Sequence, residues 1–190
     1  MGRKRTIDRG ALMGAIEAVA RREGLDGLSI DAVAKEAGIS KSSVLYDCGS
    51  KSALLAEFTR HQLDAHCKGY EAARARYEGQ SNGSLRAMID EFRTAPTDEE
   101  MSVAMLICAG VGKDANCREV MRRKIAEDTC RVMDEATDKR VILRTLLSLH
   151  GLAFLEYFGF HQFDDSTRNE LLDDLLAIAE NDRPAVSGET

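Results

Sequence analysis

Lys41, Ser42 and Ser43 follow Ser40 directly, and they place an ammonium and several hydroxyls at the start of a short helical segment. Small or basic hydrogen-bonding side chains at the N-terminal end of a helix are the kind that reach base edges and phosphates. The elements that must position them are legible on either side. Ser29 is a good N-cap, because its hydroxyl can accept from an orphan backbone N–H one turn further on. Ile30, Val33, Ala34 and Ala37 form a small apolar stripe at helical spacing. Gly38 follows, where a left-handed helix stop costs least. Ser40 then caps a second helix over residues 41–47, and Gly49 and Ser50 repeat the stop and cap before Leu54 and Leu55. A helix, a glycine-containing turn and a short second helix make the helix-turn-helix pattern. Taken alone, that pattern serves equally well for two short amphipathic helices packed in an all-helical core.

The stretch AGISKSSVLYDCGSKSALL resembles, without a gap, the signature AGVSKGTLYYHFGSKEALL of the TetR (tetracycline-repressor) family of transcriptional regulators. The resemblance extends back through LDGLSIDAVAKEAG to Ile16, roughly the first third of the chain. It implies an all-α fold: a three-helix helix-turn-helix head over residues 1–50, a larger helical ligand-binding and dimerisation body over 51–183, and a disordered tail over 184–190. Carried over at matching positions, Ser29, Tyr46 and Lys51 are contacts to the DNA backbone. Ser40, Lys41, Ser42 and Ser43 are candidates for base or backbone contact, and Leu45 can pack on a thymine methyl. Three positions depart from the family pattern. Leu45 stands where a tyrosine is usual, Asp47 where histidine is common, and Cys48 replaces a core aromatic. A carboxylate near phosphates is repulsive, and Cys48 predicts a looser seam under the recognition helix.

Charge is spread in a way that suits this division. The chain has 190 residues, 31% of them charged, and a net charge of −6. Residues 1–51 hold 9 Lys/Arg against 7 Asp/Glu, while the remainder holds 17 against 25. A mildly basic head on an acidic body fits a DNA-binding head better than a uniformly acidic enzyme. With 44% hydrophobic residues and 2 prolines, there is enough for a substantial helical core. No signal-peptide pattern is visible, and the most apolar run, residues 141–160, carries Arg144, His150 and Glu156, making it a poor membrane span. The five cysteines lack framework spacing and read as reduced thiols. The cytoplasm is the expected compartment.

In chain order, residues 2–5 (GRKR) form a basic arm suited to phosphates or a minor groove. A first helix over 7–23 is stopped by Gly24. A long fourth helix starts near Lys51 and runs to about Tyr77, long enough to bridge head and body. Gln80, Ser81, Asn82, Gly83 and Ser84 mark a loop. Further helices are expected over 85–93, from Thr97 or Asp98 to a break at 110–114, over 114–136, over 138–160 and over 167–181. The break GVGKD tempts a phosphate-loop reading but fails it: Ile107 stands where the first glycine is needed, and Asp114 where the Mg-binding hydroxyl is needed. There is no internal repeat and no strand signal. The 138–160 helix, apolar on most sides, needs burial on two sides. By resemblance the last two helices pair with their copies in a homodimer, which suits a palindromic operator read at two half-sites about 34–36 Å apart.

The resemblance also implies a small-molecule ligand in the body, whose binding releases the DNA. Candidate walls are Phe58, Leu63, Met88, Phe92, Met101, Met105, Cys108, Met121 and Phe154. Met-rich linings suit varied apolar ligands, although such residues at helical spacing are also ordinary core. Asp90 or Glu91 would favour a cationic ligand. No cofactor or metal is implied, since His61 and His66 fall on different helix faces and no metal-ligand spacing recurs. A helical enzyme is the weakest reading, because no nucleophile–base pair is apparent. A thiol-based redox sensor using Cys108, Cys117 or Cys130 is a narrower rival, with Arg118 placed to lower the Cys117 pKa. Repression and activation are not separated by any residue.

Overall fold

The structure, a computed structural model, describes residues 8–182, with the side chains of 66–68 left aside. The basic arm and the tail after Pro184 lie outside these residues. Among them every regular element is an α-helix, as expected.

Helix α1 (Arg9–Gly27) is capped by Asp8, whose carboxylate accepts from the Ala11 amide at 3.2 Å. Gly24 interrupts it, as expected: its backbone leaves helical geometry at φ 69°, and a short last turn carries the element on to Gly27. Helix α2 (Ile30–Glu36) starts at Ser29, whose hydroxyl accepts from the Ala32 amide at 3.1 Å. At its end Gly38 takes φ 63°, and the Ile39 amide returns to the Ala34 carbonyl at 3.0 Å. Helix α3 (Lys41–Cys48) is capped by the Ser40 hydroxyl and closed at Gly49, with φ 74°. A side chain at Gly38 or Gly49 would strain that left-handed backbone. Helix α4 (Lys51–Ala75) follows, two residues shorter than expected.

Helices α5 (Gly83–Glu91), α6 (Asp98–Lys113), α7 (Ala115–Glu135), α8 (Lys139–Tyr157) and α9 (Asp165–Asn181) complete the chain. The break expected over 110–114 is confined to its last residue, Asp114. Glycine inside a helix costs only about 1 kcal/mol, so α6 runs through Gly110 and Gly112. Asp114 makes the break by capping α7, its carboxylate accepting from the Asn116 and Cys117 amides at 2.9 and 3.0 Å.

The chain forms two compact units, and their boundary differs from the expected 50/51 division. The head unit runs through Ala65 and also takes in Ser102–Arg123; the body unit comprises His66–Met101 and the chain from Lys124 onward. The reason lies in the head's core. Leu12, Ile16 and Val19 of α1 meet Val33, Val44, Leu54, Leu55 and Phe58, and the fully buried Cys117 joins them from α7. Each such large apolar side chain contributes about 1.5–3 kcal/mol on burial. Helix α4 therefore belongs to the head over its first half, and Cys48 packs half-buried against this core.

The body unit is centred on Leu85, Ile89, Ile142, Leu146, Leu149 and Leu172, with α8 against α9 and α5 against α9. Helix α8 is not buried all round. Ile142, Leu146, Leu149 and Leu152 face the core, while Leu143, Leu147 and Phe154 are exposed. Leu171 and Ile178 on α9 are exposed as well.

Candidate nucleic-acid interface

Helix α3 owes its position to Val44. This side chain is fully buried beneath α1, α2 and α4 residues and anchors the helix from its inner face. One residue of a helix turns by about 100°, so Tyr46, two positions on, points outward and is 83% exposed. Leu45 flanks it at 39%, and Ser42 lies three and four residues before the two of them, on the same outer side.

The serines form one hydroxyl group at the head of α3. Ser40 accepts from the Ser43 amide at 3.1 Å, and its oxygen lies 2.9 Å from the Ser42 hydroxyl and 2.7 Å from that of Ser43. Ser40 is thus spent largely on capping. Lys41, exposed, donates to Asp31 at the start of α2 at 2.8 Å. Ser29 serves as the α2 cap and is half-buried. Lys51 is turned inward: its ammonium donates to the Leu25 carbonyl at 2.9 Å and the Asp26 carbonyl at 3.5 Å. Those carbonyls close the negative end of α1, where a cation is stabilising. In this state the outer surface is carried by Lys41, Ser42, Leu45 and Tyr46.

A second set of contacts ties the α6–α7 junction to the head. Lys113 donates to both Asp26 oxygens at 2.8 and 2.9 Å across 87 residues of sequence, and this hydrogen bonding, with the lysine's charge second, holds the Asp26 carboxyl below the usual range. Asn116 donates to the Ser52 hydroxyl at 3.0 Å. The same hydroxyl, followed by the Cys117 and Asn116 amides, lowers the Asp114 pKa against the opposing effect of burial. Leu25, Lys51, Ser52, Leu55 and Asp114 line a cleft of about 340 Å³ here. No signal in the sequence marks these partners, which lie 87 and 64 residues apart.

The nine candidate ligand walls divide between the units. Phe58 is buried in the head core rather than lining a cleft, Leu63 and Met121 are half-buried, and Met105 and Cys108 are exposed. In the body unit Met88 is core, and Phe92 meets the Tyr157 ring edge-on at 6.2 Å between centroids. Met101 is half-buried, and Phe154 is exposed beside Phe158 and Phe160 at 5.1 and 5.4 Å. Tyr157 is pushed up to about 12 by burial first and then by Glu100, Glu91 and Glu156. Asp90 accepts from Arg76 and from the Tyr77 hydroxyl, so its charge is already engaged. Burial first, and then Asp114, push the Cys117 thiol up, away from thiolate; Arg118 instead donates to the Gly112 carbonyl. No group of side chains suited to a metal ion occurs among the described residues, and no helix among them is long and apolar enough to cross a membrane.

An apolar three-helix head with a capped, outward-facing α3 is the arrangement of a helix-turn-helix module. The family described as bacterial regulatory proteins, tetR family, matches residues 12–58, and the tetracyclin repressor-like C-terminal domain matches residues 82–180. The chain belongs to the TetR family and is a DNA-binding regulator, not an enzyme. Comparison with curated proteins gives no match. Among solved structures, a transcriptional regulator from Pseudomonas aeruginosa PAO1 superposes with TM-score 0.71 at 16% identity, covering 89% of this chain and 88% of its own. One from Rhodococcus sp. Rha1 gives 0.65 at 20%, covering 90% and 95%. The multidrug binding protein EbrR, complexed with malachite green, gives 0.70 at 17%, covering 90% and 98%. At these identities the likeness is one of fold.

Proposed function

We propose that the protein is a homodimeric repressor of the cytoplasm, released from a palindromic operator by a small molecule bound in its body. The observation that carries the release is the head unit's composition: residues 102–123 of α6 and α7 are built into it through Cys117, Lys113–Asp26 and Asn116–Ser52. Helices α4, α6 and α7 each have residues in both units. A ligand that favours one arrangement of these helices therefore acts on the head through covalent continuity. It shifts the equilibrium only by its difference in affinity between the two arrangements. The exposed apolar residues of α8 and α9 supply the surface for a second copy, which a two-half-site reader requires.

A cationic aromatic ligand is favoured as the inducer. Phe92 and Tyr157 lie near the acidic Glu91 and Glu100, and one protein of the same fold, EbrR, was solved with malachite green and with ethidium. Within the body unit, the candidate walls for such a ligand are Met88, Phe92, Met101 and Phe154. The thiol-sensor alternative is weakened at Cys117, whose full burial and raised pKa disfavour the thiolate.

Fluorescence anisotropy on palindromic DNA from upstream of the gene, over a series of salt concentrations, tests this function. Two chains per site, a steep salt dependence and release by malachite green or ethidium are expected. One chain per site, or DNA release by thiol oxidation but by no ligand, would overturn it.

A further inference from the structure

We infer that α3 reads thymine methyl groups, with Leu45 as the residue that sets the preference for A·T over G·C at its position in each half-site. The inference rests on the DNA-binding role of the head and concerns what that head selects.

The argument begins with what α3 offers to a major groove. Guanine is read most often by an arginine or lysine fork, and adenine by asparagine or glutamine. The sequence of α3, KSSVLYDC, contains no Arg, Asn or Gln, and its one cation is Lys41 in the first position. Lys41 is paired to Asp31 at 2.8 Å. The hydroxyls of Ser42 and Ser43 point back into the cluster around Ser40. The outer ridge is completed by Leu45 and Tyr46, at 39% and 83% exposure, on a helix whose Val44 is fully buried. The middle of the reading face is therefore neutral and largely apolar.

Of the four bases, thymine alone presents an apolar group in the major groove, its C5 methyl. An aliphatic side chain there gains by covering that methyl and gains nothing from the polar edge of guanine or cytosine. Asp47, one turn beyond Ser43, repels phosphate and can accept only from an exocyclic amine, that of cytosine or of adenine, so it adds no contact to guanine. Discrimination at Leu45 is thus one of shape and burial.

The experiment uses the full chain. A random double-stranded library is enriched for binding, and the selected site is resynthesised with deoxyuridine replacing thymine at one position at a time, which removes only the methyl. Each covered methyl should contribute about fourfold in affinity, so a symmetric pair of replacements should weaken binding about fifteenfold. Leu45→Ala, at an exposed position and in a good helix former, should bind the thymine and uracil sites equally, and Leu45→Met should keep the discrimination. Uracil sites bound as tightly as thymine sites by the wild type would overturn the inference, as would Leu45→Ala retaining the full difference. Enrichment of sites with G·C throughout would overturn it while leaving the regulator intact; failure to enrich any sequence would remove both readings.

Discussion

The two units are built differently inside. Among the described residues the head buries one polar side chain, Thr59, whose hydroxyl bonds to the Leu55 carbonyl of its own helix. The body buries Asn82, Ser84, Thr145, Glu156, Arg168 and Asp182. Arg168 donates to both Glu156 oxygens at 2.8 and 3.1 Å and caps the end of α5 through the carbonyls of Phe92, Arg93 and Thr94. Asp182 accepts from Asn82 and from the Thr137 and Asp138 amides. Glu135 accepts from the Ser84 amide and hydroxyl at 2.8 and 2.5 Å. An apolar core is held by shape and yields by degrees when a side chain is trimmed. A core pinned by paired charges fails sharply when one partner is lost.

The sharpest test of that contrast is Glu156→Ala, which leaves Arg168 buried and unpaired. It should cost about 3–5 kcal/mol in urea unfolding. The double replacement Glu156→Leu with Arg168→Met should recover much of that loss, and a cost below about 1 kcal/mol for the single change would erase the distinction between the units. In the head, Leu54→Ala should cost about 2–5 kcal/mol, whereas Leu54→Met should cost less than about 1.5. A large loss for the second variant would mean that the head tolerates no change of shape either.

Asp182 gives the contrast a pH dependence. Burial pushes its carboxyl up, but the hydrogen bonds from Asn82, Asp138 and Thr137 together outweigh burial, and the net shift is downward. A lowered folded pKa means stability that is fully present above the unfolded value of about 3.9 and lost as pH falls through the folded one. Asp182→Asn should therefore be less stable than the wild type at pH 7, and the gap between their melting temperatures should close as the pH falls below about 4. A gap that stays constant would show that charge has no part in this junction. The smallest effect is expected at the rim of the head, where Ser40→Ala removes the α3 cap and should cost about 1 kcal/mol.

The same contrast governs what could be read in advance. The head's turn chemistry is local: Ser29, Gly38, Ser40 and Gly49 lie within a few residues of the groups they satisfy, so the caps of α2 and α3 were legible. Cys117 was not, because a buried thiol and an exposed one share the same letter and its core neighbours lie more than fifty residues away. Lys51 was placed at the right helix start, but its direction was not, since the acceptor at Leu25 is a backbone carbonyl freed by the kink at Gly24. The Glu156–Arg168 pair left no trace either. Its two charges sit on separate helices, and the carbonyls that complete it belong to a third segment of chain.

Lys51 also has a kinetic meaning. Its bond to Leu25 joins residues 26 positions apart, and α2 and α3 both lie inside the loop it closes. That makes the reading module a ring fastened at its base, whose inner amides open to solvent together once the fastening and the core beneath it let go. Amide hydrogen exchange at Val33 and Val44 should then report one common opening free energy, and Lys51→Ala should lower both by the same amount. A DNA duplex that held the ring shut would slow exchange across the whole module, including amides far from any phosphate.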